Sequence, residues 1–213
     1  MAAISRSKST MQSHYTKLLR ATLTASLMLV AIAGAAIGGP FENAVAAGNR
    51  GDYPTALRIF RPMAEQGNAG AQSALGFMYE YAQGVPQDYV EAAKWHRLAA
   101  EQGDAFSQTR LGFIYEYGEG VPQNYDEAAK WFRLAADQGH VVAQDVLGGL
   151  YFSGRGVLKD YVVAYMWLSL SAAQGDHDAA KTRDLVAKVM TPAQIAEAQK
   201  SAREWKPIKK PPQ

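Results

Sequence analysis

The sequence predicts an all-α fold, a right-handed α-solenoid of helix-turn-helix repeats, and three observations carry that prediction. Trp95, Trp131 and Trp167 lie 36 residues apart, and the same interval separates Gly76, Gly112 and Gly148, Tyr79, Tyr115 and Tyr151, and Gly103, Gly139 and Gly175. Blocks 71–106 and 107–142 agree at about two-thirds of their positions, so the interval is internal self-similarity. Within the first block Leu75, Met78, Tyr79 and Ala82 fall at helical spacing until Gly84-Val85-Pro86 interrupts them. A helix pair of this size cannot bury its apolar face alone, so consecutive units must stack.

Residues 1–35 read as a signal peptide. Lys17 and Arg20 precede an uncharged run from Ala21 to Gly39, and Ala33-Gly34-Ala35 puts small residues at the cleavage-determining positions. The expected mature start is near Ala36, with Gly39 an alternative, and Met11 is an alternative initiator. An uncleaved N-terminal anchor and a buried core helix compete with cleavage, because the run is just long enough to span a bilayer. No Cys follows the small residues, which rules out lipid attachment there, so the expected location is periplasmic or secreted.

Residues 36–70 form a degenerate N-terminal repeat, with a short first helix near Phe41 to Ala47 and a second half-unit from Asp52 to Gly67. Full repeats occupy 71–106, 107–142 and 143–178. Residues 179–205 carry two capping helices, Ala179 to Lys188 and Pro192 to Trp205, without the repeat's glycine punctuation, and 206–213 is a flexible tail. In each unit Asp88 or Asn124 is the expected N-cap of the second helix, with Glu91 or Glu127 completing a capping box. Gly76, Ala92, Ala99 and Ala100 offer surfaces for close helix approach, and the Trp95, Trp131, Trp167 row, sharing a face with Leu98 and Ala99, is assigned to the core.

The pattern A-x-x-x-L-G-x-x-Y, followed by G-V-P-Q-D/N-Y-x-E-A-A-K-W-x-R-L-A-A-x-Q-G, resembles the Sel-one-like repeat, a relative of the tetratricopeptide repeat. The match is close from Gln72 to Gly175 and looser from Phe41 to Gly70; Gly149, Leu158, Val163 and Tyr165 depart from it in the third unit. The resemblance implies a protein-interaction scaffold or adaptor rather than an enzyme. It also implies that the first helices line a concave face, presenting Phe77, Glu80 and Tyr81, then Phe113, Glu116 and Tyr117, then Phe152. Ser73, Thr109, Asp145, Gly149 and Ser153 share those phases. An aromatic and acidic strip of this kind suits a basic or aromatic peptide of a protein partner. Equally open is a plain packing role for Phe77 and Phe113 between adjacent first helices.

Other chemistries find little support. Absence of Cys removes disulfides and thiolate chemistry. Arg6, Lys8, Lys17 and Arg20 precede position 36 with no acid among them, leaving 18 bases against 20 acids and no basic footprint for nucleic acid. His14 lies in the export segment, and His96, His140 and His177 sit at unrelated repeat phases, which predicts no metal site; His96 takes the slot of Phe132 and is expected to be partly exposed. Gly118-Glu119-Gly120 follows a helix and lacks the phosphate-loop ending. No cofactor is predicted. A hydrolase using a carboxylate pair such as Glu80 and Glu116, and a regulatory adaptor held at the membrane by an uncleaved first helix, are the alternatives.

Overall fold

A computed structural model describes residues 38–208. Among them are ten α-helices and no strand: α1 (Pro40–Asn49), α2 (Tyr53–Glu65), α3 (Ala69–Glu80), α4 (Tyr89–Glu101), α5 (Ala105–Tyr117), α6 (Tyr125–Asp137), α7 (Val141–Ser153), α8 (Tyr161–Ala173), α9 (His177–Ala187) and α10 (Pro192–Glu204). The expected signal peptide, 1–35, lies outside the described residues. The described residues divide into two compact units, one up to Phe60 and one from Arg61. In the first, Phe41 packs edge-on against Phe60 at 5.5 Å, over buried Ala44, Ala47 and Ala56. In the second, α3 to α8 form three helix pairs, each helix packing on its neighbours in sequence, and α8 also receives α9 and α10.

Local signals set the helix ends. Asp88 accepts from the N–H groups of Val90 and Glu91, and Asn124 from Asp126 and Glu127, the arrangement that satisfies otherwise orphaned first-turn donors. The expected second arm of the box is diverted, because Glu91 and Glu127 pair with Lys94 at 3.2 Å and Lys130 at 2.6 Å, one turn on. A reciprocal capping box forms at Thr191 and Gln194 instead, starting α10. Ala82 adopts φ 55°, the position taken by Gly118 (φ 72°) and Gly154 (φ 74°) in the next units. A Cβ is strained in that region, so Ala82→Gly is expected to stabilise the protein by about 0.5–1 kcal/mol, read as a higher melting temperature.

Close approach of paired helices depends on a glycine facing a large side chain. A Cβ on Gly76 would meet the His96 ring at 2.7 Å, on Gly112 the Phe132 ring at 2.7 Å, and on Gly148 Leu168 at 2.6 Å. The inward row of the second helices is therefore His96, Phe132 and Leu168. His96 is 0% exposed, which corrects the partly exposed position expected for it. The tryptophan row is displaced round the helix by one residue: only Trp167 is fully buried, at 1%, whereas Trp95 and Trp131 are half-buried.

Two polar ladders tie each unit to the next. Gln72 donates to the Ala64 carbonyl at 3.1 Å and accepts from Gln102 at 2.7 Å; Gln108 and Gln138, then Gln144 and Gln174, repeat the pattern. Each buried amide thus has its partners, as a core polar group must. Along the other edge Arg61 donates to the Tyr79 hydroxyl at 3.1 Å, and Arg97 and Arg133 do the same to Tyr115 and Tyr151. The Arg97 and Arg133 guanidinium groups also lie 5.6 and 5.5 Å from those ring centroids, within cation–π reach.

Candidate functional site

The strip anticipated on α3, α5 and α7 exists as a row but is mostly closed. Phe77 and Phe113 are buried: Phe77 packs on Tyr81 with centroids 4.4 Å apart, and Phe113 stacks on Tyr117 at 6.0 Å while meeting Phe132 edge-on at 4.9 Å. Glu80 and Glu116 are buried too. The reachable members are Tyr81, Tyr117 and Phe152, all half-buried, and Phe152 packs on Tyr161 at 5.8 Å. Of the residues sharing their phases, Ser73 donates to Asp104 at 3.2 Å, Thr109 and Asp145 are buried, and Ser153 is exposed. Gly149, at the phase of Phe77 and Phe113, opens a notch: a Cβ built there meets nothing within 4 Å.

Closure of the strip is the work of arginines that reach back from the following unit. Arg110, in α5, donates through Nε to Glu80 Oε2 at 2.9 Å, and its Nη2 reaches Oε1, giving the bidentate fork a guanidinium makes with a carboxylate. Its guanidinium lies 5.7 Å from the Tyr81 centroid and 5.6 Å from that of Phe113. Burial holds Arg110 down at about 10. Arg155, in the turn after α7, approaches Glu116 at 3.5 Å and covers the Tyr125 ring at 5.4 Å. Burial, then the nearby Glu116 charge, push the Tyr117 hydroxyl well above its usual range.

Arg110 is the residue of the candidate site that the sequence does not reveal. Its repeat slot holds Ala74 in one neighbour and Val146 in the other, so the period hides it. The available signal was a lone charge one turn before Phe113, flanked by Leu111 and Ile114 on a helix.

Buried His96 and half-buried His140 are neutral at pH 7. His96 places Nδ1 3.3 Å from Ser107 Oγ and Nε2 3.4 Å from Glu80 Oε2, and burial pushes it down to about 4. His140 sits 3.0 Å from Thr109 Oγ1 and is likewise held at about 4 by burial. Their folded values lie below the unfolded value of about 6.5, so their contribution is complete above pH 6.5 and is lost as pH falls through 4. For His96 this amounts to about 3 kcal/mol. Thermal melts between pH 7 and pH 4 should show the loss, and His96→Phe, which copies Phe132, should flatten the profile.

The carboxylates a hydrolase would need are thus engaged by arginines, and among the described residues no three His, Cys, Asp or Glu gather as metal ligands. The Sel1 repeat pattern matches residues 69–104, 105–140 and 141–176, about half of the chain. The chain belongs to the Sel1 repeat family. Sel1 repeat proteins are in general protein-interaction scaffolds, and typically not enzymes. Among solved structures, the Sel1 repeat protein from Oxalobacter formigenes superposes with a TM-score of 0.63 at 34% identity, over 65% of this chain and 57% of that one. A protective antigen of uropathogenic Escherichia coli strains with an SLR fold superposes with a TM-score of 0.56 at 26% identity, over 78% of this chain and 44% of that one. This Sel1 repeat chain therefore spans 57% and 44% of the lengths of those two relatives. No curated protein sequence matches it.

Proposed function

We propose that this Sel1 repeat chain is an exported scaffold that holds a protein or peptide partner along the α3, α5 and α7 face. One observation carries the reading: the Arg110 fork to Glu80, with its guanidinium on Tyr81 and Phe113, fixes an aromatic row whose outer members Tyr81, Tyr117 and Phe152 remain half-exposed beside the Gly149 notch. Rigid, partly exposed aromatic side chains are the common anchors of recognition. Neutralising Glu80 and Glu116 internally shifts the favoured ligand from a basic segment to an aromatic or apolar one, since little uncompensated acid remains to attract cations. A Cβ built on Gly149 meets nothing within 4 Å, so a partner side chain can approach the helix backbone there.

Export is supported by the basic stretch and uncharged run of the first 39 residues, and by the likeness to a protein described as a protective antigen. Engagement of both carboxylates favours the scaffold over a hydrolase. N-terminal sequencing of the chain recovered from an envelope fraction tests export: a start near Ala36 or Gly39 agrees, and an intact Met1 or Met11 retained in the membrane contradicts it. A photo-crosslinking residue at Phe152, with Lys181 on α9 as the control site, tests docking: partner adducts at 152 alone are expected, and adducts at 181 alone contradict it.

A further inference from the structure

The last described residues turn back onto the repeat stack. Trp205 leaves α10 in an extended conformation (φ −63°, ψ 140°), and its ring meets Trp167 edge-on at 6.0 Å. A Cβ built on Gly139 would touch Trp205 at 3.6 Å and Pro207 at 3.8 Å, and the Ile208 N–H donates to the Asp137 carbonyl at 2.8 Å. The segment expected to fray is thus anchored through Ile208. The slot it fills has three parts: an indole on one second helix, a carbonyl in the last turn of the preceding second helix, and the left-handed glycine that follows it.

The 36-residue period supplies the same three parts twice more, as Trp131 with Glu101 and Gly103, and as Trp95 with Glu65 and Gly67. The glycines match in conformation, at φ 89° for Gly139, 85° for Gly103 and 91° for Gly67. Occupancy differs. Trp131 and Trp95 stay half-buried where Trp167 is covered, a Cβ on Gly67 would meet nothing within 4 Å, and Leu98 and Leu134 on the same helices are 38% and 47% exposed. The indole N–H groups of all three tryptophans are buried, so the part that faces outward is hydrocarbon. Lys94 lies over the Trp95 ring at 5.6 Å, whereas Leu134 beside Trp131 is the more exposed of the two leucines.

We propose that the Trp131 slot, and more weakly the Trp95 slot, dock an extended segment of a partner protein that carries tryptophan followed two residues later by proline. That is the chemistry Trp205, Lys206, Pro207 and Ile208 present to the third slot of the same chain. Charge complements it: each slot offers an acid at the helix end, Glu65, Glu101 or Asp137, and the tail carries Lys206 with Lys209 and Lys210 beyond. A second copy's tail is the weaker occupant, because it would have to leave an equivalent slot in which its own tether already holds it at high effective concentration. These slots lie on the second helices and stand independently of docking on α3, α5 and α7.

The four tryptophans give four indole resonances in the 15N-labelled full chain, and the probe is a synthetic peptide of residues 201–213. Titration is expected to shift Trp131 most and Trp95 less, saturably, while Trp167 and Trp205 hold still. The same peptide with its tryptophan replaced by alanine should bind at least tenfold more weakly. Stationary Trp131 and Trp95 signals, shifts confined to Trp167 and Trp205, or equal binding of the alanine peptide would each overturn the proposal. So would a dimer in sedimentation that deletion of residues 205–213 dissolves, which would give the slots to a second copy.

Discussion

Replacing Glu80 with alanine is expected to lower stability by about 3–5 kcal/mol, because it strands the Arg110 guanidinium in the interior without its counter-charge. Glu80 is 3% exposed, and the fork from Arg110 is its principal partner. Substituting both residues with apolar side chains, Glu80→Leu with Arg110→Met, should recover most of the loss, since a buried pair contributes little net stability once desolvation is counted. Urea unfolding of the two single variants and the double variant yields the coupling directly. Single-variant changes below about 1 kcal/mol would mean the pair is solvated and behaves as a surface ion pair.

The second large effect separates tryptophans that the repeat period makes formally equivalent. Trp167→Ala should cost about 3–5 kcal/mol, leaving a cavity between the Arg133 guanidinium, 5.3 Å from its ring, and the Trp205 edge at 6.0 Å. Trp131→Ala, at a half-buried site, should cost about 1–3 kcal/mol. Thermal or denaturant melts give the order. Equal losses would show that the tail does not cover Trp167.

The repeat unit was legible because its packing is repetitive. Glycines at 76, 112 and 148 must admit the neighbouring helix three times over, and sequence displays anything required three times. Helix caps at Asp88 and Asn124 were legible for the same reason. What escaped was whatever occurs once. Arg110 has no counterpart in Ala74 or Val146, His96 hides behind the equivalence with Phe132, and Trp205 lies beyond the periodic segment altogether. The tryptophan row failed more instructively: helical periodicity locates a face to within a residue or so, and here the deepest position belongs to the residue after each tryptophan. Phase alone placed Phe77, Glu80, Phe113 and Glu116 on one row, but burial depends on which side chain the next unit sends back, and periodicity does not encode that.

Docking on the α3, α5 and α7 face is tested most directly at the Gly149 notch. Gly149→Phe restores the side chain that Phe77 and Phe113 supply in the other units, in a helix where phenylalanine is better tolerated than glycine and where a Cβ meets nothing within 4 Å. Partner capture from envelope extract, with the captured species identified by mass spectrometry, is the measurement, and a melting curve is run on the same sample. A melting temperature equal to or above that of the unaltered chain, together with loss of capture, is expected. Undiminished capture of the same species by a normally melting Gly149→Phe chain would contradict it.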